Sequence, residues 1–240
     1  MGKLGVIIVA AGKGSRMRTK ESKQYLYLRG KPIIVHTVER FQHIDEVDSI
    51  VLVVGFDDRT RCQNLVDQYG LTKVSGIIAG GGERQESVFK GIQAMNTEWV
   101  MVHDGVRPFV SSEKVIEVWR EAERMGAAVL AVPVKDTIKA VNREGWIEST
   151  LDRKSLWAVQ TPQVFRHADL KKAHLQAIDD QFTGTDDAGL VERIGLPVGI
   201  VEGEYSNIKI TTLEDLHWAE FVTQPAAGEE HNDDQNRPGV

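Results

Sequence analysis

The sequence predicts an α/β fold, with a mostly parallel sheet and helices on both of its faces. Three observations predict this class. Short apolar runs suited to buried strands recur along the chain, amphipathic stretches of helical length separate them, and glycine-rich or charged segments follow several runs. Such alternation of strands and helices is typical of a parallel sheet that is covered on both sides.

The first half of the chain supplies the clearest elements. Apolar runs predict strands at residues 4–9, 50–54, 74–79, 99–102 and 127–132. Amphipathic patterns predict helices between them, at residues 32–41, 57–69, 84–95 and 113–125. Ser111 or Ser112 is suited to cap the fourth of these helices, and Gly126 suits its C-terminal exit.

The alternation stops after Pro133. Residues 133–160 are largely polar, with Gly145 at a predicted turn, and we expect them to form an arm that protrudes from the sheet. Helices are predicted again at residues 167–177, 186–194 and 213–222, and a strand at residues 197–201. We therefore expect one domain over residues 1–224, followed by an acidic tail, residues 225–240, whose few apolar residues predict disorder.

Composition and charge exclude several classes of protein. With 41% hydrophobic and 27% charged residues, the 240-residue chain has a globular composition, and no stretch approaches the ~20 apolar residues that span a bilayer. The formal net charge of −6 argues against nucleic-acid binding. A single cysteine, Cys62, rules out an internal disulfide, and the N-terminus does not resemble a signal peptide. We therefore expect a cytoplasmic protein without membrane association.

The strongest local signal is a glycine-rich loop directly after the first strand. Residues 10–17 are Ala-Ala-Gly-Lys-Gly-Ser-Arg-Met, whose small residues let the backbone approach a ligand and cradle phosphates. Five bases fall within eleven residues, at Lys13, Arg16, Arg18, Lys20 and Lys23. This concentration predicts a polyanionic ligand, with a solvated turn as the alternative interpretation. A nicotinamide oxidoreductase is disfavoured because Met17 stands where the dinucleotide fingerprint needs its third glycine.

Two further loops follow other predicted strands. One contains Gly81 and Gly82, with Ser87 one turn into the next helix; its backbone and hydroxyl suit hydrogen bonds to a flat base edge, although a flexible turn has the same composition. The other contains Asp104, which is placed to hold a metal ion, to cap a helix or to pair with Arg107. Because carboxyl ends of parallel strands share one edge, we expect the three loops to face one crevice.

Later segments complete a pattern that resembles a known family. The loop at residues 10–17, with Lys23-Gln24-Tyr25, is similar to the sugar-phosphate nucleotidyltransferases. The resemblance, from about residue 4 to residue 222, narrows to the 2-C-methyl-D-erythritol 4-phosphate cytidylyltransferase family of the non-mevalonate isoprenoid pathway. The narrowing segments are Gly80-Gly81-Gly82-Glu83-Arg84, His103-Asp104-Gly105-Val106-Arg107-Pro108, Asp136-Thr137, Thr161-Pro162-Gln163, Thr185-Asp186-Asp187-Ala188 and Asn207-Ile208-Lys209.

Two alternatives stay open beside this resemblance. Ribitol 5-phosphate cytidylyltransferases share most of the segments, but Leu-Ala-Gly-Gly is expected there in place of Ala10-Ala11-Gly12. Residues 152–157, ahead of residues 161–163, also favour the methylerythritol family. A non-catalytic nucleotide-binding protein on the same scaffold would have lost catalytic charges, and these are present.

The resemblance implies a Rossmann-like nucleotidyltransferase fold and a reaction between CTP and a small polyol phosphate that releases pyrophosphate, with Mg²⁺ as cofactor. It implies catalytic roles for Arg16, Lys23, Arg153 and Lys209. The implied nucleotide-binding set is Ala10, Ala11, Gly12, Gly14, Gly81, Gly82, Ser87 and Asp104, with Asp104 also nearest the metal. The implied acceptor-binding set is Arg107, Thr137, Arg153, Thr161, Thr185 and Lys209.

The resemblance also implies a homodimer that forms through the arm. In such a dimer, Arg107, Thr137 and Arg153 would complete the substrate pocket of the other subunit.

Overall fold

The fold is known from a computed structural model that describes residues 3–12 and 21–224. Its strands in chain order are β1 (Leu4–Ala10), β2 (Tyr27–Leu28), β3 (Lys31–Pro32), β4 (Val47–Val54), β5 (Val74–Ala79), β6 (Trp99–Asp104), β7 (Ala127–Pro133), β8 (Lys139–Val141), β9 (Ile147–Thr150), β10 (Trp157–Arg166) and β11 (Gly199–Glu202). Its α-helices in chain order are α1 (Ile33–Gln42), α2 (Arg59–Gln68), α3 (Arg84–Ala94), α4 (Ser112–Met125), α5 (His167–Asp179), α6 (Asp187–Arg193) and α7 (Leu213–Val222).

Seven of the strands form one sheet with the order β11-β7-β10-β6-β1-β4-β5. β10 runs antiparallel to its neighbours β6 and β7, and the other neighbouring pairs are parallel. The predicted mostly parallel sheet is therefore confirmed. The carboxyl ends of β1, β5 and β6 lie at one edge, where the three predicted loops begin.

Helices cover both faces of the sheet, as predicted. Val38 of α1, Cys62 of α2 and Trp119 of α4 lie in the same buried cluster as Val6 and Ile8 of β1. On the other face, helices α3, α5 and α6 contribute Ile92, Leu170 and Leu190 to a second cluster that contains Ile7. Neighbouring β1 residues enter opposite clusters because successive side chains of a strand point to opposite faces.

Local signals explain where the helices begin and end. The Ser111 hydroxyl accepts a hydrogen bond from the backbone N–H of Lys114 at 3.3 Å and caps α4, and Gly126 ends that helix with φ +95°. Thr212 caps α7 through a reciprocal pair of bonds with Asp215. The caps at Ser111 and Gly126 confirm the sequence predictions.

The arm is shorter than the predicted residues 133–160. It consists of residues 134–156, which contain the β8–β9 hairpin with Gly145 at its turn. Residues 157–160 belong to β10 and pair with β7, which corrects the prediction. The pattern misled because Gln160, Thr161 and Gln163 interrupt the apolar residues of β10, so the continuous apolar run of a buried strand is absent.

The tail at residues 225–240, for which disorder was predicted, lies outside the described residues. Within residues 3–12 and 21–224, none of the helices combines the length and the apolar character that crossing a bilayer would require.

Candidate active site

A cleft of about 190 Å³ lies where the predicted loops meet, at the carboxyl ends of β1, β5 and β6. The expectation of a single crevice is confirmed. The residues of the predicted site that line the cleft are Ala10, Ala11, Gly12, Lys23, Gly81, Gly82, Ser87, Asp104 and Lys209. Gly14 and Arg16, also predicted for this site, lie outside the described residues.

The wall formed by the first loop is fixed by Gln24. Its side-chain Nε2 donates a hydrogen bond to the carbonyl of Ala10 at 2.8 Å, and the side chain is only 2% exposed. Lys23 opens the 3-10 helix Lys23–Tyr25 that carries Gln24. The guanidinium of Arg61 lies 4.1 Å from the centre of the Tyr25 ring and supports this helix from outside. Lys23 therefore stands at the cleft on an anchored segment.

The second wall is formed by the triple-glycine loop and the start of α3. The backbone N–H of Gly81 donates to the hydroxyl of Ser87 at 3.0 Å, and that hydroxyl donates to the carbonyl of Glu83 at 3.0 Å. A hydroxyl has one proton and two lone pairs, so Ser87 keeps one acceptor position. The loop lies so close to the first one that a Cβ at Gly80 would clash with the Cβ of Ala11.

Asp104 is the centre of charge in the cleft. The residue is 6% exposed, and its carboxylate lies 2.9 Å from Lys209 Nζ, 3.4 Å from Arg107 Nε and 3.6 Å from Arg84 Nε. Burial alone would raise the pKa of Asp104, but Lys209, Arg84 and Arg107 together hold that pKa well below its usual range. The carboxylate therefore remains ionised, and its three partners present positive charge around it.

Behind Asp104, His103 and Thr161 support the end of β6. The backbone N–H of Asp104 donates to the Thr161 hydroxyl at 3.0 Å, and that hydroxyl bonds His103 Nδ1 at 3.2 Å. His103 Nε2 lies 3.0 Å from the carbonyl of Arg107, so Nε2 carries the proton and Nδ1 accepts. Burial lowers the pKa of His103 to about 4, which keeps this ring neutral and structural.

The structure does not bring every predicted residue to the cleft of this chain. Thr137, Arg153 and Thr185 are exposed, and Arg153 donates to the carbonyl of Lys135 at 2.7 Å, within the arm. Arg107, expected to serve another subunit, turns inward, pairs with Asp104 and donates to the carbonyl of Asn207 at 2.7 Å. Its guanidinium thus supports the cleft of its own chain.

The set of site residues predicted from sequence omitted Arg84. Its side chain lines the cleft and lies between two carboxylates, 2.8 Å from Asp187 and 3.6 Å from Asp104. The available signal was its place at the first residue of a helix, separated from three glycines only by Glu83. Helix starts of this kind commonly bind phosphate.

The residues of the cleft fit a Mg²⁺ ion that arrives with a triphosphate. Within the described residues, no cluster of three His, Cys, Asp or Glu side chains is arranged to hold a metal alone. Asp104 is one buried carboxylate at the cleft and is already paired with cations. Since Mg²⁺ is commonly held by one or two carboxylates together with substrate phosphates, this donor set suits a shared site.

Comparisons with known proteins agree with this geometry. The family model described as 2-C-methyl-D-erythritol 4-phosphate cytidylyltransferase matches residues 4–224. A protein of that name from Desulforamulus reducens is 46% identical over 223 residues, which cover 92% of this chain and 95% of the relative. Another, from Alkaliphilus metalliredigens, is 48% identical over 217 residues, or 89% of this chain and 90% of the relative.

Solved structures give the same result for the fold. The 4-diphosphocytidyl-2C-methyl-D-erythritol synthase of Anaerococcus prevotii aligns with a TM-score of 0.81 and 31% identity, over 92% of this chain and 96% of that one. The 2-C-methyl-D-erythritol 4-phosphate cytidylyltransferase of Thermus thermophilus aligns with a TM-score of 0.76 and 32% identity, over 91% and 97% of the two chains.

Proposed function

Since the chain belongs to the 2-C-methyl-D-erythritol 4-phosphate cytidylyltransferase family, we propose that its cleft is the place where CTP binds and reacts. The protein is a nucleotidyltransferase that converts CTP and 2-C-methyl-D-erythritol 4-phosphate to 4-diphosphocytidyl-2-C-methyl-D-erythritol and pyrophosphate. This reaction belongs to non-mevalonate isoprenoid biosynthesis. One observation supports this site above all. The first loop and the triple-glycine loop line the same cleft as Lys23, Asp104 and Lys209.

The second wall suits recognition of cytosine. The Ser87 hydroxyl donates its hydrogen bond to the carbonyl of Glu83, so toward the cleft it can only accept one. The exocyclic amine of cytosine is a donor and complements that acceptor, whereas the corresponding oxygen of uracil would leave two acceptors facing each other. Backbone groups of Ala10, Ala11 and Gly82 complete the proposed base pocket, and an unpaired polar group there would cost about 1–3 kcal/mol.

The proposed chemistry requires positioning and charge stabilisation. The acceptor's phosphate oxygen is already an anion, so it needs no general base to attack the α-phosphorus of CTP in line with the leaving pyrophosphate. Lys23, at the first wall, is placed to stabilise charge on the transferring group and the pyrophosphate. We propose the same role for Arg16, and we propose that Lys209 and Arg153 bind the phosphate of the acceptor.

Asp104 is the carboxylate that would hold Mg²⁺ beside the triphosphate, in keeping with the donor set described above. When bound, the ion supplies positive charge that neutralises the phosphate oxygens. The three cations around Asp104 keep it ionised, so it is ready to act as a ligand at neutral pH.

The arm is proposed to form a homodimer and to complete the acceptor site. It exposes large apolar side chains that residues 3–12 and 21–224 leave uncovered, at Val141, Trp146, Ile147 and Leu151. Exposed apolar surface of this kind marks protein interfaces. We propose that a partner subunit covers it and that Thr137 and Arg153, both on the arm, then reach the cleft of the other chain. Thr161 and Thr185 are proposed to contact the acceptor within their own chain.

The enzyme is proposed to act in the cytoplasm on these two small substrates, without nucleic acid or membrane. The test of function is pyrophosphate release with CTP and Mg²⁺, comparing methylerythritol 4-phosphate with ribitol 5-phosphate. We expect fast release with methylerythritol 4-phosphate only, and the same assay with UTP should give little product. Fast release with ribitol 5-phosphate only would overturn the acceptor and the pathway.

A further inference from the structure

A row of paired polar and charged side chains leads from the interior of the protein to the cleft. His174 Nε2 lies 3.0 Å from Asp187 Oδ1, and Asp187 Oδ2 lies 2.8 Å from Arg84 Nη1. Arg84 Nε then faces Asp104 at 3.6 Å, and Asp104 contacts Lys209 at 2.9 Å. Asp187 and His174 do not line the cleft, and the contact that links them to it is the one between Asp187 and Arg84.

Asp187 is held independently of Arg84. It is 1% exposed at the first residue of α6, and His174, which is fully buried, stacks on Phe89 with ring centres 6.0 Å apart. The backbone around it is tied to β10, because Ala188 N–H donates to Gln163 Oε1 at 3.1 Å. A carboxylate fixed in this way is an anchor to which a flexible arginine side chain adjusts.

We propose that Asp187 is a positioning residue, which holds the Arg84 guanidinium at a fixed place between Asp187 and Asp104 and thereby sets the charge geometry of the cleft. The inference rests on the proposed site for CTP. The distances support it: the guanidinium is closer to Asp187, at 2.8 Å, than to Asp104, at 3.6 Å, so Asp187 keeps Arg84 from closing on Asp104. Lys209 is left as the nearest partner of Asp104.

Removal of the Asp187 charge should let this geometry relax. A guanidinium prefers to engage a carboxylate with two parallel N–H donors, and Arg84 would turn toward Asp104 to reach that arrangement. It would then compete with Lys209 for the same carboxylate. The loss of one negative charge near the cleft would at the same time favour a polyanion, so binding of CTP should not weaken. The expected signature is a lower kcat with an unchanged or lower Kd for CTP.

The primary experiment compares Asp187→Asn with wild type. We expect kcat to fall about tenfold or more, the range seen when a partner that orients an active-site group is removed. The Kd of CTP, measured by calorimetry without acceptor, should stay within about threefold of the wild-type value or tighten. Asp180→Asn is the matched control, since Asp180 forms an exposed pair with Arg193 at 2.9 Å and should leave both quantities unchanged.

A double-mutant cycle distinguishes positioning from a merely structural role. If Asp187 acts through Arg84, then Asp187→Asn should lower kcat in the wild-type background and have little further effect in an Arg84→Gln background. An equal fold-loss of kcat in both backgrounds, or a kcat of Asp187→Asn equal to wild type, would overturn the inference. So would a loss of kcat that is accompanied by an equal loss of CTP affinity.

A second variant covers the case in which Asp187→Asn does not fold. His174 Nδ1 has no hydrogen-bond partner within the described residues, so His174→Phe preserves the stacked ring and removes only the donor to Asp187. We expect a several-fold lower kcat with unchanged CTP affinity, and His174→Gln, which can still donate, should recover part of it. Wild-type kcat in a folded His174→Phe would overturn the inference, whereas a wild-type enzyme without cytidylyltransferase activity would overturn the proposed function instead.

Discussion

The cleft and the arm differ in how many of their groups find partners within one chain. In the cleft, Asp104 is 6% exposed and its carboxylate is surrounded by three cations. In the arm, Trp146 and Ile147 are 72% and 62% exposed, and none of the described residues covers them. The difference teaches that the charges of the proposed nucleotide site are paired within one chain, whereas the apolar surface of the arm is not, which is why we propose a second subunit there.

The largest effect should come from a charge inside the cleft. Lys23→Ala is expected to lower kcat by two or more orders of magnitude, on the order of ~3 kcal/mol, because a fixed positive charge beside the transferring group is lost. Steady-state kinetics with saturating CTP would measure it. Lys172→Ala removes an exposed lysine of α5 and should have no effect. Near-wild-type turnover of Lys23→Ala would contradict the assignment of the cleft.

The second prediction concerns the stability that the protein gains from keeping His103, behind the cleft, neutral. His103 has a pKa of about 4 in the folded protein, below its ordinary value of 6.5, because burial disfavours the charged ring. The unfolded chain therefore takes up the proton first as pH falls. The contribution of His103 to stability is complete above pH 6.5 and is lost between pH 6.5 and about 4, by up to about 3 kcal/mol.

Chemical denaturation at a series of pH values checks this. His103→Gln should flatten the fall of the unfolding free energy over that window, whereas His43→Gln, at an exposed histidine, should keep the wild-type slope. An unfolding free energy that stays level between pH 6.5 and 4 in the wild type would show that protonated His103 is accommodated.

The sequence predicted the residues that line the cleft better than the elements and contacts that hold them in place. Six strands of the central sheet were found from apolar runs, and Ser87, Asp104 and Lys209 were assigned to the site on the loop pattern and the family resemblance. β10 was missed because its exposed and polar residues hide a paired strand. The contact of Arg84 with Asp187 joins residues 103 positions apart, so it becomes visible only once α3 and α6 pack on the same face of the sheet.

The third prediction concerns the arm. Arg153→Ala is expected to raise the KM for the acceptor about thirtyfold, roughly 2 kcal/mol for a lost charge-assisted contact, with the Kd of CTP unchanged. Arg143→Ala, at another exposed arginine of the arm, is the control. Equal weakening of CTP and acceptor binding by Arg153→Ala would place Arg153 in the nucleotide site instead.

A mixture of two impaired variants tests whether Arg153 of one chain acts in the cleft of the other. If Arg153 serves the other subunit, a mixed dimer of Lys23→Ala and Arg153→Ala chains contains one site with both residues intact. Random exchange should restore about a quarter of wild-type activity, since half of the symmetric dimers are mixed and each has one working site. Activity no greater than the sum of the separate variants would show that Arg153 acts within its own chain.

The fourth prediction tests the apolar surface of the arm. Trp146→Asp is expected to weaken dimerisation about tenfold or more, since exposed tryptophans often dominate interfaces, and to raise the acceptor KM at low protein concentration. Sedimentation over a concentration series would report the dimer constant. Phe56→Ser, at an aromatic residue that is 77% exposed outside the arm, should not change it. A wild-type protein that remains monomeric would contradict the proposed role of the arm.

The smallest effect should come from the helix that supports Lys209 from behind. Thr212 caps α7, whose Leu216 and Ala219 pack with Ile210, the neighbour of Lys209. Thr212→Ala removes the acceptor for the Asp215 N–H and should lower the unfolding free energy by about 1 kcal/mol, whereas Thr212→Ser keeps that acceptor and should stay close to wild type. Because Asp104 also fixes Lys209 through their contact at 2.9 Å, kcat should remain near wild type in both variants. A large loss of kcat in Thr212→Ala would mean that the position of Lys209 depends on α7 more than on Asp104. The ion pairs within the cleft would then not be sufficient to fix its geometry.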